Sequence, residues 1–139
     1  MRELKFPVLK YTPKFIRGGI QTGRDLLVVG ERNFEQGCFD AATIIDASGY
    51  KYQVLSATRK GLTWNPLNVF RAYRTILVDL ELSNPDKLNA DQVREEIFGV
   101  LFSHPKWYRR YFETEQSIRA KLDNAKTVTH LINSISVYS

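Results

Sequence analysis

Histidine and sulfur chemistry are scarce in this chain of 139 residues, which holds two histidines, one cysteine and one methionine. A lone Cys38 forms no internal disulfide and assembles no cysteine-based metal site, which fits a reducing compartment. We read it as a small residue beneath a turn, ahead of a reactive thiol. His104 and His130 fall in separate predicted helices with no HxxxH, HxxE or HxH spacing, so neither carries a local metal signature. His104 precedes Pro105 at a helix end, where its ring N–H can cap free carbonyls, and His130 is expected to face solvent. The chain also lacks a GxSxG elbow, a GxxxxGK[ST] loop and a GxGxxG turn. Gly18 to Gly23 is glycine-rich without the lysine of a phosphate loop, and we assign it to a turn. No catalytic residue, cofactor or metal is therefore expected.

No apolar run approaches the roughly 18 to 20 residues that span a bilayer, and the N-terminus MRELKFPVLKYTPKF lacks the apolar core of a secretion signal. A cytoplasmic protein without membrane contact is expected. A hydrophobic fraction of 43% and a charged fraction of 25% match ordinary globular usage, and the length suits one domain, residues 1–139. The net charge of +5 is concentrated: within residues 1–24, Arg2, Lys5, Lys10, Lys14, Arg17 and Arg24 face only Glu3. A second basic group, Arg59, Lys60, Arg71 and Arg74, brackets Trp64 with no acid between. Anionic partners would meet these places first.

Residues 1–24 mix apolar and basic positions with Pro7, Pro13 and Gly18-Gly19, which predicts a short edge strand or irregular arm and then a turn. Leu26 to Val29 predicts a buried strand closed by Gly30, and Glu31 to Asp40 a connection. From Ala41 to Ala57 the pattern is that of a hairpin, with Asp46-Ala47-Ser48-Gly49 between β-prone runs and Gly49 free to take positive φ. Ile76, Val78, Leu80 and Leu82 then alternate with Leu77, Asp79 and Glu81, which predicts a strand with one wet face. Asn65-Pro66 offers one helical turn within Gly61 to Tyr73.

After Pro85 the period becomes helical. Val93, Ile97, Val100 and Leu101 form one face of a helix capped by Asn89, a short helix follows Pro105, and two more run through Ile118, Leu122, Ala125 and through Val128, Leu131, Ile132, Ile135 after Thr127. Strands followed by helices predict an α+β domain: a mostly antiparallel sheet of about four strands in the N-terminal half, packed against three or four C-terminal helices.

Glu95 and Glu96 point about 100° apart on a helix, which favours a solvated face over a shared site. Asp79 and Glu81 project from one strand face. Buried, they would need Arg71 or Arg74 as partners; on an open face, which we favour, they are ordinary cross-strand pairing residues. Lys106 to Phe112 interleaves cations with aromatics, a composition suited to nucleic acid. The simpler reading has Trp107, Tyr111 and Phe112 anchoring a helix in the core while Lys106, Arg109 and Arg110 stay wet. Trp64, in a predicted loop beside Leu62 and Leu67, has the character of an interface anchor.

The hairpin Ile45 to Tyr52, the strand Val78 to Leu82, a helix bearing Glu95-Glu96, a Trp after a proline, and the final segment Ala125 to Ile132 together resemble small bacterial immunity proteins of polymorphic or contact-dependent toxin systems. The likeness covers about residues 41–139. It implies a non-catalytic cytoplasmic protein that binds and neutralises a cognate toxin domain. The contact residues expected from exposure around one sheet face and its loop are Trp64, Arg71, Tyr73, Asp79 and Glu81. Immunity proteins against nucleases often carry acids in imitation of nucleic acid, and the basic start of this chain departs from that pattern. The alternative is a small RNA-binding or RNA-associated domain that uses the basic N-terminal segment.

Overall fold

A computed structural model describes residues 3–64, 66 and 74–139. The chain opens with a hairpin, β1 (Val8–Thr12) and β2 (Phe15–Ile20), turned at Pro13-Lys14. A short helix α1 (Gly23–Leu27), capped by the Thr22 side chain, leads into β3 (Val28–Gly30) and helix α2 (Glu31–Glu35). The second hairpin joins β4 (Thr43–Ile45) to the 13-residue β5 (Tyr50–Leu62). There Asp46 Oδ1 accepts the Ser48 and Tyr50 N–H groups, both at 3.0 Å, and Gly49 takes φ +87. β6 (Thr75–Leu82) and a two-residue β7 (Asp86–Lys87) complete the first half.

Four helices follow: α3 (Ala90–Phe102), α4 (Pro105–Arg109), α5 (Glu115–Asp123) and α6 (Val128–Asn133). Each long helix begins where its cap predicts. Asn89 and Gln92 form a reciprocal capping box on α3, as Thr114 and Ser117 do on α5, and Thr127 caps α6. The chain then returns to the sheet as β8 (Val137–Tyr138).

The α+β class is present, but the expected sheet of about four strands packed against helices is not. Among the described residues eight strands form one antiparallel sheet in the order β3-β6-β5-β4-β1-β2-β8, with β7 on β5, and it curls into a half-barrel. Residues 1–24, expected to be an edge or arm, supply two strands well inside it. They escaped the period-2 signal because β1 is covered on both faces. Leu9 joins Ile16, Ile45 and the buried faces of α3 to α6 in one core, while Val8 joins Ile20, Ile44, Ile76 and Val78 in a second core inside the curl. Strands buried on both sides show no alternation. Leu26 and Leu27 end a helix and only Val28 to Gly30 are strand, while the connection after Gly30 holds a helical turn. Gly18-Gly19 lies within β2 and not in a turn. A Cβ on Gly18 would stand 2.6 Å from the Ile135 carbonyl oxygen and 2.7 Å from Ile135 Cβ, so a bare backbone is what lets α6 and its C-terminal turn approach the strand. No helix among the described residues is long and apolar enough to cross a membrane.

Candidate partner-binding surface

β5 and β6 pair over most of their length and reach beyond the part of the sheet that the C-terminal helices cover. On their outer face Thr58 stands opposite Asp79, Ser56 opposite Glu81 and Gly61 opposite Leu77. Asp79 and Glu81 are exposed, and Ser56 Oγ donates to Glu81 Oε2 at 3.1 Å. Leu77 is exposed on the same strand as the two acids, and of the two arginines considered as their partners the described one, Arg74, pairs with Glu31. Two bulges, at Leu55 and Lys60, interrupt the pairing and leave Leu55 60% exposed. At the far end of the ribbon Leu62 is 53% exposed and Trp64 is 92% exposed. Solvated apolar side chains gathered on one element mark binding surfaces more often than chance exposure does. The structure thus brings Trp64, Asp79 and Glu81 onto one ribbon, while Arg71, Tyr73 and the helical turn expected after Asn65-Pro66 lie outside the described residues.

The basic group around Trp64 is less bare than its sequence suggests. Glu31, buried at the start of α2, faces Arg59 Nη2 at 3.4 Å and Arg74 Nη1 at 3.5 Å. An acid distant in sequence thus offsets part of the positive charge at that end of the ribbon.

A second exposed site appears where none was expected. Trp107 and Tyr108 are the anchors of α4, whereas Tyr111 is half-exposed and Phe112 is 97% exposed. Phe112 ends the helix with φ +63, its N–H bonded to the Arg109 carbonyl and the Glu113 N–H to the Tyr108 carbonyl. That pair of bonds is a Schellman ending, a position normally held by glycine. Lys106, Arg109 and Arg110 are exposed around it. The KWYRRYF run carried the signal, but its spacing did not say which aromatics turn outward.

His104 Nδ1 lies 3.0 Å from the Val100 carbonyl and its ring stacks on Trp107 at 3.9 Å, the capping role expected of it. His130 is exposed. A groove of about 830 Å³ between α3 and the β1–β2 turn is lined by Tyr11, Asp91, Glu95, Glu96 and His104 among others. Glu96, expected on a solvated face, is instead held: Tyr11 Oη donates to it at 2.9 Å and Lys51 Nζ at 2.8 Å. Burial pushes the Glu96 carboxyl up, but the bonds from Lys51 and Tyr11 outweigh it and leave it below its ordinary value. Burial and that carboxylate hold the Tyr11 phenol above its own. The same device recurs at Glu113, which accepts from Tyr138 and from Lys121 at 2.8 Å. A carboxylate tied between a tyrosine and a lysine is a brace between elements; as a proton carrier it would have to give up both bonds. Among the described residues no three His, Cys, Asp or Glu side chains gather to hold a metal ion.

No family model matches this chain, and no curated protein or solved structure matches it.

Proposed function

We propose that this chain is an immunity protein, which binds a cognate bacterial toxin domain in the cytoplasm and neutralises it by occupying a surface, with no bond made or broken. One observation carries the reading: Trp64, almost fully solvated, stands with exposed Leu62 at the end of a paired ribbon whose outer face bears Asp79 and Glu81. Tryptophan is among the residues that dominate interface energies, and a ribbon held in a sheet loses little freedom when it docks. The acids at its flank would steer a basic toxin surface and set its register.

The rival reading, binding of RNA, draws on Lys106, Arg109 and Arg110 beside the solvated Phe112. Aromatic stacking with phosphate contacts is how single strands are held.

Affinity purification from cells that encode the chain, with and without nuclease digestion and across a salt series, separates the two. A protein partner that survives nuclease and high salt, and is lost from Trp64→Ala, is expected. Recovery of nucleic acid that leaves steeply as salt rises would overturn the immunity reading, because counterion release makes phosphate contacts salt-sensitive.

A further inference from the structure

The half-barrel does not close, and a cavity of about 760 Å³ lies between its two free edges. Val28, Val29 and Gly30 of β3 line one side, Val137 of β8 the other, and the β1–β2 hairpin the floor. That volume lies in the ~300 to 1,000 Å³ range of small-molecule pockets. Its charged side chains are of one sign, and Ser139, the last of the described residues, lines it as well. Lys10, Lys14 and Arg17 face it, and no aspartate or glutamate lines it.

Lys10 is the unusual member. It is 5% exposed, yet its ammonium has no hydrogen-bond acceptor and no ion-pair partner among the described residues; it sits 4.1 Å from the Phe39 ring centroid and 5.2 Å from that of Phe15. The hairpin register then sets Arg17 directly across from it, and Arg17 likewise has no acid partner among the described residues. Two like charges opposite each other on neighbouring strands destabilise a sheet, and burying one of them unpaired costs more. Burial holds the Lys10 ammonium below its ordinary value against an opposing effect of Cys38, and Arg17 adds the smallest push, downward. A hairpin that needed only packing would be better served by methionine or leucine at position 10.

We infer that this seam is a binding site for a small organic anion, with Lys10 and Arg17 gripping a phosphate or carboxylate group and Lys14 at the rim. Lys14 Nζ rests on the Gln36 carbonyl at 3.2 Å, an exposed position from which it can turn inward. The aromatic faces of Phe39 and Phe15 hold the Lys10 head between them, so the site is preorganised. An anion entering it gains charge-assisted hydrogen bonds and relieves the repulsion across the hairpin. The site is separate from the Trp64 ribbon, and its existence does not depend on the immunity reading.

Titration calorimetry on the full chain tests it, with inorganic phosphate and pyrophosphate as one arm, citrate as the other, and chloride at matched ionic strength as the reference. Saturable binding in either arm is expected, and the stronger arm names the group. Lys10→Met and Arg17→Met should each weaken it by about tenfold or more. Lys10→Met should also melt no lower than the parent, because the repulsion with Arg17 and the desolvation of the ammonium at the cavity wall are gone; a lysine needed only for folding would lower the melting temperature instead. Absence of saturable binding in both arms, or binding unchanged in both variants, would overturn the inference. Should Lys10→Met fail to fold, the half-buried Arg17 decides the matter alone.

Discussion

Phe112 holds a backbone conformation that costs a bulky side chain on the order of 1–3 kcal/mol, and its ring gains no burial in return. Glycine removes that strain while adding freedom to the unfolded chain. Phe112→Gly is therefore expected to stabilise the protein by about 1 kcal/mol in urea unfolding. A loss of stability would mean that the ring makes contacts its exposure does not suggest. At this scale the sequence was partly legible. Trp64 could be placed outside the core because its neighbours carry turn and charge signals, and His104 could be assigned to a helix end from the proline beside it. The pairing of Lys10 with Arg17 was not, because it exists only in the register of the Pro13-Lys14 hairpin. That turn, between two runs of mixed apolar and basic residues, was the signal that could have found it.

Among elements, those with one dry face were legible and those with two were not. The helix from Ala90 and the strand from Thr75 declare themselves because water on one side forces a period on the sequence. β1 is sandwiched between two cores, and β3, β7 and β8 are two or three residues long, too short to show any period. Contact between elements is equally hidden. Gly18 reads as a turn residue, yet its role is to let α6 and the turn after it lie against β2. Gly18→Ala should cost roughly 1–3 kcal/mol, the usual penalty of overpacking, measured as a lower urea midpoint with an unchanged slope. Wild-type stability in that variant would place the docking of α6 elsewhere.

For the molecule as a whole, two Tyr–Glu–Lys braces tie distant segments together: Tyr11 and Lys51 to Glu96, and Tyr138 and Lys121 to Glu113. Both carboxyls lie below their ordinary value in the folded state, burial raising them less than their partners' hydrogen bonds lower them. Such groups bind fewer protons folded than unfolded. Their stabilisation is complete above about pH 4.5, the unfolded value, and is lost as pH falls through the lower folded values. The double variant Glu96→Gln, Glu113→Gln should be less stable than the parent at pH 7 and should show a shallower loss below pH 4.5. Parallel pH profiles would remove the braces from the account.

The central claim is that the β5–β6 ribbon is the surface that meets the partner. Hydrogen–deuterium exchange of the captured complex against the free chain reads this directly. Protection confined to Thr58–Trp64 and Thr75–Glu81 is predicted; protection at Lys106–Phe112 with the ribbon unchanged would contradict it.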